Sequence, residues 1–295
     1  MASLKEVKTR ISTVNSTRKI TSAMKMVASS KLHRAQQAIE SMRPYESCLN
    51  KMMSTFVSSM KGEISSPYAV KREVKRVAIV LYTSNSSLCG GFNGNAIKAL
   101  RKVVEEYRSK GIVIQNVYPI GKKGQEAILK AGIKSEKDYA RLLDHPSYDE
   151  TSLIAYELMT QYAAGEIDEV VMIYHHFKNS ASQILTQEDF LPIQLETNPD
   201  SQEAEAPSST SSLNYIIEPS VEEVVSELIP KALCLKLFTA LLDSLASEHS
   251  ARVIAMQVAT DNADELLREL TLTYNKTRQQ AITTELLDIV GGSTQ

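Results

Sequence analysis

Along the last stretch of the chain, apolar and small residues recur in alternating steps of four and three: Met256, Thr260, Ala263, Leu267, Leu270, Tyr274, Thr277 and Ala281. That is the seam of a left-handed coiled coil. From Val221 to Val290 there is no glycine and one proline, Pro230. An unbroken helix of that length would reach roughly 100 Å, more than a small domain can enclose. Half of the eight seam positions are Thr or Ala, so a partner helix would lie close.

The opposite terminus offers that partner. Leu4, Val7, Ile11 and Val14 begin a seam, Arg18 interrupts it, Ile20, Met24 and Val27 resume it, and Leu32, Ala35, Ile39 and Met42 restart it after Lys31. Read this way, the seam slips in phase, as in a coiled coil that is locally over- or underwound or a helix that changes partner. It persists past Pro44, where a bend is expected, through Cys48 or Leu49, Met52, Phe56 and Met60. One helix is expected from Leu4 to Met60, ending near Lys61 and Gly62.

Between the helices the pattern changes. Short apolar runs at Val77–Tyr82, Val113–Ile120 and Glu169–Tyr174 predict internal strands, and Gln183–Pro192 an edge strand that the proline ends. Helical spacing covers Ala96–Arg108, Gln125–Lys130 and Glu150–Ala163. Strand, helix, strand, helix, helix, strand is the order of an open sheet with helices packed on it. The expected divisions are a coiled-coil helix over 1–61, an α/β domain over 74–195, an acidic Ser- and Pro-rich linker over 196–219, and a second coiled-coil helix over 220–291.

Charge alters this picture in one place. The chain carries a formal −2, yet from Met1 to Arg43 nine basic residues stand against Glu6 and Glu40, a net +7 that leaves −9 for the remainder. So one-sided a block points to an acidic partner. Nucleic acid is disfavoured, because no Phe, Tyr or Trp between Met1 and Pro44 is there to stack on bases. Cys48, Cys89 and Cys234 are odd in number and widely spaced, which argues against a disulfide framework or a zinc site. No run of 18 apolar residues offers a membrane span, and the N-terminus lacks an apolar leader segment. The unbroken seam also argues against a transit peptide.

Candidate chemistry is thin. Gly90 and Gly91 stand between a strand and a helix, but without GxGxxG or GK[ST] a tight turn is the better reading than a phosphate cradle. Gly121-Lys122-Lys123-Gly124 has only half of a phosphate-loop motif. His175 and His176 are adjacent on a strand, so they point to opposite faces and do not share a metal. His33 and His249 lack a second ligand at i+4, and Cys89 lacks an identifiable base. No catalytic, cofactor-binding or metal-binding residue is assigned. The tip is different: Asn275, Lys276, Arg278, Gln279, Gln280, Thr283, Thr284 and Glu285 surround the helix, followed by Ile282, Leu286, Leu287, Ile289 and Val290. That apolar set is too large to leave in water, so another protein should enclose it.

Across nearly its whole length the chain resembles the gamma subunits of F-type ATP synthases. The N-terminal likeness runs Ile11, Val14, Thr17, Lys19-Ile20-Thr21, Ala23-Met24, Val27-Ala28, Ser30-Lys31 and Arg43-Pro44-Tyr45. At the C-terminus it runs Ser247-Glu248, Ala251-Arg252, Ala255-Met256, Ala259-Thr260-Asp261-Asn262-Ala263, Tyr274-Asn275-Lys276, Arg278-Gln279 and Ile282-Thr283-Thr284-Glu285. The middle is looser, chiefly Leu88-Cys89-Gly90-Gly91-Phe92-Asn93, and Asn85-Ser86-Ser87 stands where the family usually has Asp-Arg-Gly. The resemblance implies an antiparallel coiled coil of the N- and C-terminal helices with an inserted Rossmann-like α/β domain. It further implies a non-catalytic rotor shaft that transmits torque between a proton-driven c-ring and catalytic sites on the β subunits. The implied partners are a hexameric ring of α and β subunits, the epsilon subunit and the c-ring, with membrane contact only through the complex. The implied location is the cytoplasmic side of a bacterial inner membrane. By position, Met24 and Lys25 would face an acidic loop of β, while Arg278, Gln279, Thr283 and Glu285 would contact β near the sleeve. Without the resemblance, a coiled-coil scaffold with an inserted α/β domain and a nucleotide-using α/β enzyme remain open.

Overall fold

The computed structural model describes residues 4–59, 66–133, 135, 137–193, 218 and 220–292, without the side chains of 54–59, 221, 222, 288, 291 and 292. The elements are α1 (Leu4–Ser59), β1 (Arg76–Tyr82), α2 (Phe92–Ser109), β2 (Val113–Ile120), α3 (Lys122–Lys130), α4 (Arg141–Asp144), α5 (Tyr148–Ala163), β3 (Glu169–Asn179), β4 (Ser182–Leu191) and α6 (Val221–Gly292). The expected end of the first helix at Lys61 and Gly62 lies outside the described residues, as does the 196–219 linker apart from Glu218. The chain divides into two compact units: Met1–Lys31 with Arg252–Gln295, and Leu32–Ala251. Both long helices pass through both units.

The first unit is a pair of helix segments. The seam of α6 is as the spacing predicts: Met256 and Ala263 are buried, and Thr260, Leu267, Leu270, Tyr274, Thr277 and Ala281 are half-buried between exposed neighbours. On α1 the seam differs from the expected one. Leu4, Val7, Ile11, Val14, Arg18, Thr21, Lys25 and Ala28 hold it without any slip, while Ile20 and Val27 are 59% and 58% exposed. Hydrophobicity misled here because Arg18, Thr21 and Lys25 occupy interface positions and find polar partners on the facing helix. Once those bonds exist, a polar residue at the seam no longer breaks it.

The second unit is a three-layer α/β structure. Its sheet has the order β2-β1-β3-β4, with β1 parallel to both β2 and β3, and β4 antiparallel to β3. From Val77 to Tyr82 every residue of β1 is buried, as befits a central parallel strand covered on both faces. One face is covered by α2 and α3 through Ala96, Leu100, Val103, Val104 and Ile128. The other receives α5, α6 and, from α1, Met53 with partly buried Ala38, Ile39, Met42 and Met52. The third and fourth strands form a hairpin in which Asn179 Oδ1 accepts from the amides of Ala181 (3.0 Å) and Ser182 (2.8 Å), carrying β3 well beyond Tyr174. Helix α4, which buries Leu142 and Leu143, had no counterpart in the sequence pattern.

Within the second unit α6 is buried almost all round from Leu233 to Ser250; within the first, beyond Arg252, only its seam is covered. The composition changes with it, from apolar on every side in Leu233-Cys234-Leu235-Lys236-Leu237-Phe238 to one stripe.

Candidate subunit-contact surface

In the first unit, three polar contacts cross between α1 and α6. Arg18 Nη1 lies 2.8 Å from Asp264 Oδ1, Thr21 Oγ1 lies 2.8 Å from Thr260 Oγ1, and Lys25 Nζ donates to Gln257 Oε1. Seven residues forward on α1, from Arg18 to Lys25, correspond to seven backward on α6, from Asp264 to Gln257. The segments are therefore antiparallel and in heptad register. Gln257 Nε2 donates in turn to Asp261 Oδ1 at 2.7 Å.

What this pairing leaves outside is two patches. On α1, Lys19, Met26, Lys31, Ile20 and Val27 are exposed, and Met24 and Lys25 are half-buried beside them. Lys25 thus works along the seam as well as at its edge, which the sequence did not reveal. On α6, Arg278, Gln279, Thr283 and Glu285 are all exposed, and Thr283 Oγ1 spends its proton on the Gln279 carbonyl 2.9 Å away. Around them Ile282, Leu286, Leu287, Ile289 and Val290 are between 49% and 68% exposed. At 1.5 Å per residue, Gln257 and the 278–285 segment lie roughly 30–40 Å apart along the helix. The six predicted contact residues therefore form two stations, not one cluster.

The second unit explains the residues once considered for chemistry. Gly90 takes a φ of 58° and leads through Gly91 into α2. Cys89 is buried and accepts a bond from Asn93 Nδ2 at 3.2 Å, while Asn93 Oδ1 accepts from the Ser84 amide at 2.9 Å. These bonds close the turn from inside it. At Gly121 (φ 117°) an added Cβ would sit 2.5 Å from the Thr83 carbonyl oxygen, so the lysine-bearing turn owes its glycine to backbone contact. Asn85, which replaces the family's usual Asp, donates to the Ala140 carbonyl at 2.8 Å.

The two adjacent histidines do point apart. His175 is buried and stacked on Phe92 at 4.3 Å, with Nδ1 lacking a hydrogen-bond partner, and burial pushes its pKa down to about 4. His176 faces the other way, its Nδ1 2.5 Å from Asp243 Oδ2 on α6. Burial raises the Asp243 carboxyl, and the bond from His176 partly offsets it. Further along, Ser247 Oγ donates to the His175 carbonyl (3.0 Å) and Ser250 Oγ to that of Ser180 (2.6 Å). Small polar residues of α6 thereby stitch it to the β3–β4 hairpin. The signal available was Ser and Asp at close spacing inside an apolar helix. Among the described residues no cluster of His, Cys, Asp and Glu could hold a metal ion.

A family model described as ATP synthase matches residues 3–294. The ATP synthase gamma chain of Bacteroides thetaiotaomicron is 56% identical, with all of both chains covered. That of Phocaeicola vulgatus is 55% identical over 99% of each. This chain belongs to the ATP synthase gamma-chain family. Among solved structures, a chain of the Tetrahymena thermophila mitochondrial ATP synthase central stalk and c-ring superimposes with a TM-score of 0.59 at 25% identity, covering 81% of this chain and 99% of that one. One from the Euglena gracilis mitochondrial enzyme shares the fold with a TM-score of 0.55 at 19% identity, over 92% and 94%. Gamma chains are non-catalytic subunits of a membrane-associated complex. Among the described residues of this gamma chain, no helix is long and apolar enough to cross a membrane.

Proposed function

We propose that the two stations of this gamma chain are where it meets the β subunits: Met24 and Lys25 at one, Arg278, Gln279, Thr283 and Glu285 at the other. The chain is the central shaft of an F-type ATP synthase, transmitting torque between the c-ring and the catalytic sites. The observation that carries the contact assignment is the exposed apolar tip, Ile282 to Val290, on a helix whose own seam is already paired. Such a surface is stable in water only inside a sleeve, and a ring of α and β subunits supplies one. Within that sleeve an asymmetric shaft offers each β subunit a different face in turn, which biases the conformation of each site in sequence. Small and polar residues there favour contacts that are made and released at little cost.

The basic block of α1 suits an acidic loop on β. The α/β domain, assigned to 74–195, is the part offered to the epsilon subunit and the c-ring. The complex places the chain peripherally on the cytoplasmic face of a bacterial inner membrane. Lys25→Glu should lower the protons pumped per ATP hydrolysed by a complex reassembled with α, β, epsilon and c-ring, while ATP hydrolysis continues. An unchanged pumping ratio would remove Lys25 from the β-facing set.

A further inference from the structure

Polar residues at a coiled-coil seam cost stability and are kept where they specify one alignment among several. The first unit contains two such layers three residues apart: Arg18 with Asp264, and Thr21 with Thr260, where Thr21 is 9% exposed. Each hydroxyl also has a carbonyl on its own helix in reach, Arg18 O at 3.0 Å for Thr21 and Met256 O at 2.7 Å for Thr260. Two protons serve these three contacts, so one hydroxyl donates across the interface and the other to its own backbone.

We infer that Arg18, Thr21, Thr260 and Asp264 are positioning residues that fix the register of the shaft, and with it the angular placement of the faces it turns toward the catalytic ring. The reasoning is combinatorial. A slip of one heptad leaves both seams facing each other, so apolar packing alone discriminates weakly against it. Such a slip sets Thr21 opposite Val253 or Leu267, and Thr260 opposite Val14 or Ala28. Arg18 then meets Gln257 or Thr271. One direction does offer Asp264 to Lys25, but it leaves Arg18 without a carboxylate and drives Leu267 into the space of a threonine. In neither direction do the two hydroxyls meet. A slip of three or four residues turns one seam off the interface altogether.

The positional consequence rests on the rotor reading above; the register itself does not. A heptad slip moves the outer faces of α6 past those of α1 by roughly 10 Å, so the two stations would no longer reach their targets in phase. A neutral hydrogen bond contributes about 1 kcal/mol and an exposed ion pair about half of that, a sum that corresponds to roughly a tenfold preference for the native register.

The test uses the full chain assembled with α, β, epsilon and c-ring, with Cys48 replaced by serine. The pair Val14→Cys with Leu267→Cys reports the native register, and Val14→Cys with Tyr274→Cys reports a one-heptad slip. In Thr21→Val/Thr260→Val the slipped disulfide should rise about tenfold relative to the native one, and the protons pumped per ATP should fall while hydrolysis continues. Thr21→Ser/Thr260→Ser should restore both. If the valine pair does not assemble, Arg18→Asp should raise the slipped disulfide and Arg18→Asp/Asp264→Arg should reverse it. Unchanged cross-linking in these variants overturns the register role. A slipped register with unchanged pumping overturns the positional one. Failure of the parent complex to pump at all would instead count against the rotor reading.

Discussion

His175 gives the sharpest quantitative test of the second unit. Above pH 6.5 its ring is neutral in the folded and the unfolded chain alike, so it lends no pH dependence. Below that, the unfolded chain takes up a proton, whereas the folded chain resists until about pH 4, because a charged ring would be buried against Phe92 without a partner for Nδ1. Stability present above pH 6.5 is therefore lost progressively as pH falls toward 4. At pH 4.5 the linkage amounts to about 2.5 kcal/mol relative to pH 7. His175→Phe keeps a flat ring for the stack and removes the titration. Urea denaturation of the two proteins, followed by tyrosine fluorescence at pH 7 and pH 4.5, should show the wild type losing about 2.5 kcal/mol more than the variant. The subtraction matters, since Glu46, Glu169 and Asp243, all raised chiefly by burial, act in the opposite sense. Their raised values favour the fold as pH drops, and they do so equally in both proteins. Parallel pH profiles, or a His175 proton resonance that titrates near 6.5, would refute the assignment of a buried neutral ring.

Other outcomes follow from single contacts. Tyr82→Phe removes the buried hydroxyl that donates to the Leu237 carbonyl at 2.9 Å and should cost about 1–3 kcal/mol in chemical denaturation. Gly121→Ala puts a Cβ 2.5 Å from the Thr83 carbonyl oxygen at a φ of 117°, and should destabilise by about 4 kcal/mol or prevent soluble expression. Leu158→Ala, at a fully buried position of α5, should cost about 2–5 kcal/mol, again by denaturation.

Much of this architecture is written in spacing. The seam of α6 was legible to the residue from Met256 to Ala281, because an exposed coiled coil has only one stripe to bury and the chain shows nothing else there. The strands were legible as well: β1 is apolar throughout since it lies between two helical layers, and Gly111 and Gly121 punctuate its neighbours. What the spacing misread was the seam of α1. Ile20 and Val27 look like interface residues and Thr21 and Lys25 do not, because hydrophobicity measures what a residue prefers without a partner. Thr260 and Gln257 supply the partners, more than 230 positions away in the chain.

The same limit applied to the candidate chemistry. That His175 and His176 face apart followed from strand geometry. That one is an orphaned buried ring and the other an ion-pair partner of Asp243 depended on where α6 runs. Local sequence determined which segments are helix and strand, and the family likeness named the machine, because periodicity, turn chemistry and motif are properties of neighbouring residues. Tertiary structure alone decided which polar groups are paired and which are left facing water, since a hydrogen bond or an ion pair is a property of two residues that the chain brings together only on folding.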